Sequence, residues 1–330
     1  MANFTLKRPS LYLACGLLFG STVLAGCDGS LRRSKVEETR VLEFMATDIS
    51  QVAAFADNGH IHVRPSTTSD MIRVEARIEA RGRDQEDAEA ALAAVEILTP
   101  RTGTGESTQE VRWNWKNQRH PMHWSATVSF DIEMPAGLQL TAQTDNGEIE
   151  TAGITGSREL ESDNGRIRSS DWESTDIAAW DGTLAATDSK VVASTDNGPI
   201  DIESAAGSLA LSTDNGQIKA RSAARQVKLS TSNGAIEARL TAGGRLDGRV
   251  KTNNGSVELV LNPDVSTRLD CKTDTGGIRT SSLPLNEAAN VRSRNSVTCS
   301  IGSGDGMLEI ETDNGSINVE GMPQDGKVYH

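Results

Sequence analysis

Aromatic side chains are scarce in this chain of 330 residues, in which five Phe, five Trp and two Tyr make up 4% of the composition. Aromatic residues dominate the packing of many large globular cores, so one large interior of that kind is disfavoured. The 30 Gly residues, together with frequent Val, Ile, Leu, Thr and Ala, instead favour a thin core that is repeated many times. The composition therefore predicts a periodic fold.

Positive charge is also in short supply. The chain has 33 Lys and Arg residues against 46 Asp and Glu residues, which gives a formal net charge of -13. A nucleic-acid-binding surface needs clustered cations, and an acidic protein is repelled by the phosphate backbone. DNA and RNA are therefore excluded as expected partners.

Cysteine is limited to four residues, and the first two lie in an N-terminal segment typical of an export signal. Two basic residues precede an apolar stretch from Leu11 to Val23, which is too short to span a bilayer as a stable helix. Leu24-Ala25-Gly26-Cys27 follows and resembles a bacterial lipobox. We therefore expect a lipoprotein signal peptide over residues 1–26, a membrane anchor on the acylated Cys27 and a tether over residues 27–40. The alternative is an ordinary secretory signal with an incidental Cys.

Cys271 and Cys299 remain in the exported chain. Disulfides persist outside the cytoplasm, so this pair predicts a bridge that closes a loop of about 28 residues and stabilises the fold by about 3 to 4 kcal/mol. The alternative is two separate thiols that pack as small apolar groups.

Internal repetition dominates residues 138–321. Eight copies of Thr-Asp-Asn-Gly-x-Ile or a near variant occur, mostly 18 or 21 residues apart. A degenerate copy begins at Asp181, and an insertion runs from about Leu283 to Gly304. Copies in phase over this length predict a repeat architecture. The turn residues are Asn146, Gly147, Asn164, Gly165, Asn197, Gly198, Asn215, Gly216, Asn233, Gly234, Asn254, Gly255, Asn314 and Gly315, with Thr275-Gly276 as a variant.

Each copy is predicted to be a strand, a turn and a second strand. Asn-Gly suits a type I′ turn with positive φ, and the preceding Asp can accept a hydrogen bond from the turn backbone. Apolar residues alternate with polar ones on both sides of the turn, as in Leu209, Leu211 and Ile218, so each copy has one apolar face. Stacking is the way to bury that face, which predicts an all-β fold built as a β-solenoid. Repeated Asn and Thr should then stack along its axis.

The segment over residues 41–137 is organised differently. It contains an isolated early copy at Asn58-Gly59, strand-like stretches, and a run from Asp84 to Ile97 whose apolar spacing predicts one amphipathic helix. A Trp-rich stretch over residues 112–124 is expected to form a hairpin. Residues 322–330 are expected to be a tail.

These features together resemble the bacterial putative-adhesin family of β-strand-repeat domains, a family of unknown function. The resemblance rests on the early copy, the lone helix, a strand ending in Ile132-Glu133-Met134-Pro135-Ala136-Gly137, and the ladder of Asn-Gly copies. It covers roughly residues 40–321. It implies a β-solenoid on the cell envelope and brings no catalytic residues with it.

Candidate chemistry is sparse. The recurring Asp residues of the turns are explained by turn capping, although a Ca²⁺ column is the alternative. The pairs His60 with His62 and His120 with His123 each lack a third ligand nearby in sequence, so we expect no metal site and no cofactor. Nucleophile-elbow, Walker and H-E-x-x-H motifs are absent from the sequence, and we expect no enzyme.

The most suggestive surface is the Trp-rich stretch. Trp side chains with Arg are suited to stacking on a sugar or docking to a partner. The competing interpretation is a cap over the open end of the solenoid. The candidate ligand or partner residues are Trp113, Trp115, Trp124, Arg112 and Arg119.

The sequence thus favours a lipid-anchored, non-catalytic scaffold or adhesin-like module of the bacterial envelope, facing the periplasm or the cell surface. Its partners would be the membrane and an envelope protein or glycan. The alternative is a β-helix protein that binds or processes envelope carbohydrate.

Overall fold

The computed structural model describes residues 34–68, 70–117, 119–171, 187–204 and 206–323. The predicted signal peptide, Cys27, the degenerate copy at Asp181 and residues 324–330 of the predicted tail lie outside these ranges. The first part contains helix α1 (Gln85–Ala94) and the strands β1 (Ser34–Met45), β2 (Gln51–Ala56), β3 (Ile61–Pro65), β4 (Met71–Gly82), β5 (Val95–Leu98), β6 (Arg101–Thr102), β7 (Thr108–Trp115) and β8 (Ser125–Met134).

The repeats form the remaining strands, which are β9 (Gln139–Thr144), β10 (Ile149–Thr151), β11 (Arg158–Ser162), β12 (Ile167–Ser170), β13 (Thr187–Thr195), β14 (Ile200–Ser204), β15 (Ala206–Thr213), β16 (Ile218–Ser222), β17 (Gln226–Thr231), β18 (Ile236–Leu240), β19 (Gly244–Arg245), β20 (Asp247–Thr252), β21 (Val257–Leu261), β22 (Val265–Thr275), β23 (Ile278–Ser281), β24 (Leu285–Arg292), β25 (Ser296–Ile301), β26 (Gly306–Asn314) and β27 (Ile317–Gly321).

Two long sheets face each other. Sheet I has 12 strands within the described ranges, in the order β1-β4-β8-β3-β10-β12-β14-β16-β18-β21-β27-β23. Sheet II has 15, with the path β24-β25-β22-β26-β20-β17-β15-β13-β11-β9-β2-β7-β5 and with β6 and β19 paired beside β7 and β22. At about 4.8 Å per strand, sheet I is about 53 Å long.

Each repeat contributes one strand to each sheet, and equivalent strands pair in parallel and in register. Leu209 lies opposite Val227 in sheet II, and Ile218 lies opposite Ile236 in sheet I. The inward residues of both sheets are buried, so apolar columns of Leu or Val and of Ile run along the stack. The predicted β-solenoid is confirmed.

The coils do not stack in the order of the chain. The early copy stands between the N-terminal strands and the first repeat, because β3 pairs with both β8 and β10 and β2 pairs with both β7 and β9. At the other end, the last coil, β26 and β27, inserts between the coil of β20 and β21 and that of β22 and β23. The inserted stretch forms strands β24 and β25, which extend sheet II beyond β22.

Helix α1 is shorter than the sequence predicts. It begins after Asp84, whose carboxylate accepts a hydrogen bond from the Asp87 amide, and it ends at Ala94 because Val95 is already extended. Val95–Leu98 becomes β5, which pairs with β7. Its β-branched residues fit a strand better than a final helical turn. The helix packs through Ala88 and Ala91 against β1 and β4.

Candidate functional site

The Asn-Gly corners form one exposed edge of the stack, here called the corner edge. Asn215 donates from Nδ2 to Oδ1 of Asn197 at 2.8 Å, and Asn233 donates to Asn215 at 2.9 Å. The series continues through Asn58, Asn146, Asn164, Asn197, Asn215, Asn233, Asn254 and Asn314. The predicted stacking of Asn along the axis is confirmed, and the bonds polarise one another in one direction.

The glycines of the corner edge allow close approach between coils. A Cβ on Gly216 would lie 1.9 Å from the carbonyl oxygen of Gly198. The predicted type I′ turn is wrong, because Gly216 does not have positive φ. The strands on either side of the corner enter different sheets, so no hairpin joins them and the backbone geometry of a hairpin turn is not needed.

In the corners from Gly147 onward, the Thr or Ser three positions before the glycine donates a hydrogen bond to the adjacent coil. Thr213 donates from Oγ1 to the carbonyl oxygen of Gly198 at 3.0 Å, and Thr231 donates to Gly216 at 3.0 Å. Both bonds are buried. The Thr hydroxyls therefore satisfy backbone carbonyls, whereas the sequence suggested that they would stack on one another.

The turn Asp residues precede the Asn residues of the corner edge, with Ser232 and Asn253 in place of Asp at two corners. Within the described ranges, their hydrogen bonds to the next coil run through the main chain, as from the Asn215 amide to the Asp196 carbonyl at 2.9 Å. In the described part of the chain, the expected capping by Asp side chains is not seen. Burial raises the pKa of Asp57, and the neighbouring Asp145 carboxylate raises it further.

Cys271 and Cys299 are separate buried thiols. Cys271 lies opposite Val297, and Cys299 lies opposite Leu269, so the two Cys residues are diagonal neighbours across β22 and β25. Diagonal side chains in a sheet are about 7 to 8 Å apart, too far for the Cβ separation of about 4 Å in a disulfide. The two thiols are not bridged in this structure. Burial raises the pKa of the Cys271 thiol to about 12.

The Trp-rich stretch is divided between two faces. Trp113 and Trp115 pack against the core, and their rings meet edge to face at 5.7 Å. Arg112 is exposed on the opposite face of β7, because neighbouring residues of a strand point to opposite sides. The five candidate residues therefore do not form one surface.

The loop after β7 adds to the inward cluster. The ring of His120 lies 4.4 Å from that of Trp115, and Trp124 donates from Nε1 to Asp87 of helix α1 at 2.7 Å. Arg119 is exposed, as is Met122. This arrangement favours the cap interpretation for the Trp side chains.

A histidine cluster lies on the outer face of sheet I. His60 and His62 stack with ring centroids 4.4 Å apart, and His62 Nδ1 lies 3.3 Å from Oδ1 of Asp131. Asp131 lies close to this pair although it is distant in sequence, because β8 lies beside β3. The sequence predicts no third ligand near the two His residues. Burial lowers the pKa of His60, and His62 lowers it further.

A buried ion pair was not expected from the sequence. Arg158 occupies an inward position of β11 between Leu140 and Val191 of the adjacent strands. Its guanidinium is fully buried and contacts Asp171, and it donates to Ser169 and Ser204. Burial lowers the pKa of Arg158, and Asp171 opposes that shift. Aligning the repeats would have shown a charged residue in an apolar column.

Within the described part of the chain, no helix is both long and apolar enough to cross a membrane. The two parallel-rich sheets, joined at Asn-Gly corners, define the protein as a β-solenoid of the Toastrack type. The chain belongs to the Toastrack DUF4097 family, whose model matches residues 95–320. The family resemblance of the repeats is thereby confirmed.

Solved structures with a similar trace include a putative adhesin from Bacteroides fragilis, 12% identical, with a TM-score of 0.44 over 86% of this chain and 97% of that chain. Another is a putative adhesin from Parabacteroides distasonis, which is 10% identical, with a TM-score of 0.37. That match covers 86% of this chain and 97% of that chain. A putative lipid binding protein from Parabacteroides distasonis is 10% identical, with a TM-score of 0.27 over 87% and 97%. A search of curated proteins finds no match. Likenesses this weak carry no functional argument.

Proposed function

We propose that this protein is a lipid-anchored, non-catalytic scaffold of the bacterial envelope that holds a binding surface at a set distance from the membrane. The observation that carries the proposal is the series of corner bonds from Asn58 to Asn314, which ties the coils into one stiff unit. A stack bonded along its whole length resists bending. It is therefore suited to presenting a partner surface.

In this proposal, the end that carries β1 lies next to the membrane. β1 begins at Ser34 and is the outermost strand of sheet I. Six residues lie between Cys27 and Ser34, and the seven steps from Cys27 to Ser34 reach at most about 25 Å when extended. Strands β23 and β24 then lie at the far end of the stack, where an envelope protein or glycan would be met.

The Trp-rich segment would contribute to partner binding only through its accessible residues. Arg119 and Met122 are exposed, and Met122 is fully so. Trp113 and Trp115 are held against the core. This segment lies at the membrane-side end of the stack, with β7 and β5. A protein or glycan that also contacts that end would therefore depend on Arg119 and Met122 more than on those two rings.

Membrane fractionation tests the anchor. In Cys27→Ser we expect the protein to leave the membrane fraction after a high-salt wash and to lose incorporation of a labelled fatty acid. Cys15→Ser is the matched control, because it changes a Cys of the apolar stretch and should keep both properties. Retention of Cys27→Ser in washed membranes contradicts lipid anchoring.

A turnover assay tests the absence of catalysis. The purified protein is incubated with a panel of envelope glycans, and binding and released product are measured on the same samples. We expect binding without release. Product that accumulates in proportion to protein and time would instead support the carbohydrate-processing alternative.

A further inference from the structure

A cluster on the outer face of sheet I has metal-binding chemistry that the scaffold function does not use. We propose that His60, His62 and Asp131 bind a divalent transition-metal ion, with Zn²⁺ the best-matched ion. Each residue offers one ligand atom, and these atoms all lie within 4.8 Å of one another. Imidazole nitrogen and carboxylate oxygen are donors that Zn²⁺ prefers, and three protein ligands leave a fourth position for water.

Three adjacent strands bring the cluster together. His62 on β3 lies directly opposite Asp131 on β8 and opposite Glu150 on β10. His60 precedes His62 by two residues and so points to the same face. The parallel ladders hold these positions, because the Phe130 amide donates to the His60 carbonyl at 2.9 Å.

The separation of the ligand atoms on His62 and Asp131 suits a tetrahedral ion. Zn²⁺ bonds of about 2.0 to 2.1 Å at tetrahedral angles separate two ligand atoms by about 3.3 Å. His62 Nδ1 and Asp131 Oδ1 are 3.3 Å apart. The Nε2 atom of His60 is buried without a hydrogen-bond partner. Rotation of the His60 side chain toward the ion would give that cluster its third ligand.

Glu150 completes the pattern around His62. Its Oε2 atom lies 3.9 Å from Nε2 of His62, the ring nitrogen that faces away from Asp131. A metal-bound imidazole commonly directs its other nitrogen to a carboxylate, which fixes the ring and increases its basicity. Glu150 is therefore a positioning residue for this site.

Arg77 opposes metal binding and supplies a sharp test. Its Nη2 atom lies 3.2 Å from Oδ2 of Asp131, which leaves Oδ1 for the ion. The guanidinium charge repels a cation at that distance. Replacement by Gln should therefore tighten metal binding by about tenfold.

The test is calorimetric titration of ZnCl₂ into the chelator-treated full chain in mild detergent. We expect one equivalent to bind with micromolar or tighter affinity. Affinity should fall at least about a hundredfold in His62→Asn and in Asp131→Asn, and about tenfold in Glu150→Gln. His120→Gln and His123→Gln are matched controls from the Trp-rich loop and should bind as the parent does.

Cobalt absorption gives a second measurement. Co²⁺ bound by two imidazoles and a carboxylate should give the intense visible bands of a tetrahedral ion, and His62→Asn should lack them while its circular dichroism stays unchanged. A parent chain without stoichiometric Zn²⁺ binding overturns the proposal. Equal loss of binding in His120→Gln, or weaker binding in Arg77→Gln, overturns it as well.

Discussion

The carbonyl oxygen of Gly198 lies only 1.9 Å from the position that a Cβ on Gly216 would take. The same contact recurs from coil to coil, as between Gly234 and the Gly216 carbonyl. The oxygen is not left unpaired, because the Thr213 hydroxyl donates to it at 3.0 Å. One coil therefore fits against the next through a backbone contact that only glycine permits, with a hydroxyl bond beside it.

Gly216→Ala should destabilise the stack by about 3 kcal/mol, because the added methyl group forces two coils apart. The loss of amide protection should concentrate in the coils of Gly198 and Gly234 and spare helix α1. Urea denaturation and hydrogen exchange measure both effects. Gly277→Ala is the matched control, since a Cβ there meets no atom within 4 Å. Equal effects of the two substitutions would contradict the close-approach explanation.

Asn215→Ala should cost about 1 to 2 kcal/mol, because Asn215 both donates to Asn197 and accepts from Asn233. Asn58→Ala should cost about half as much, since Asn58 stands at the end of the series and accepts one bond from Asn146. Chemical denaturation of the two variants gives the comparison. A larger loss in Asn58→Ala would show that the bonds do not act as a connected series.

The Cys271 thiol should make stability fall in alkali. Its pKa is about 12 in the folded chain, against an ordinary value of 9.0. Above pH 9 the unfolded chain releases this proton while the folded chain keeps it, so unfolding becomes easier as pH rises. The contribution of this group to the free energy of unfolding should be lower at pH 10 than at pH 7 by about 1 kcal/mol.

The check is the pH profile of Cys271→Ala from pH 7 to pH 10, measured by denaturant unfolding beside the parent. Between pH 7 and pH 10, we expect the free energy of unfolding of this variant to fall by about 1 kcal/mol less than that of the parent. Parallel profiles would assign the alkaline loss to other groups. Native alkylation at pH 8 should leave Cys271 unmodified, because the nucleophilic thiolate is absent.

Arg158→Leu should cost about 3 to 5 kcal/mol, because it leaves the Asp171 carboxylate buried without its cation. The double variant Arg158→Leu with Asp171→Asn should recover most of that loss, since neither charge of this pair is then left in the interior. Thermal unfolding of both variants and of Asp171→Asn makes a double-mutant cycle. A double variant as unstable as Arg158→Leu would mean that the Arg packs as a hydrocarbon and does not act as a charge.

Some of this architecture could be predicted from local pattern alone. Alternation around Leu209, Leu211 and Ile218 indicates strands with one apolar face, and in-phase Asn-Gly copies indicate that those faces stack. The same repeat of Asn-Gly copies predicts that the Asn side chains stack along the axis. Helix α1 was found for the same reason, although its end was misplaced because β5 takes Val95 by pairing with β7.

Other features depend on which strands become neighbours. The sequence predicts a hairpin turn at the Gly216 corner, because Asn-Gly has the same local preference whether the next strand returns to the same sheet or enters the opposite one. The bridge between Cys271 and Cys299 was expected because spacing says nothing about register. Asp131 was missed as a neighbour of His62 because 69 residues separate them in the chain.

The sequence by itself determined the repeat, the alternating apolar face and the corner residues, since each is encoded within a few consecutive residues. The tertiary structure alone decided the order of the coils, including the insertion of β26 and β27 before β22 and β23, and with it the clusters around His62 and Arg158. The physical reason is that every coil presents nearly the same edge and the same apolar columns. The local sequence of one coil therefore does not specify its neighbours. Packing at the two ends of the stack determines the order of the coils.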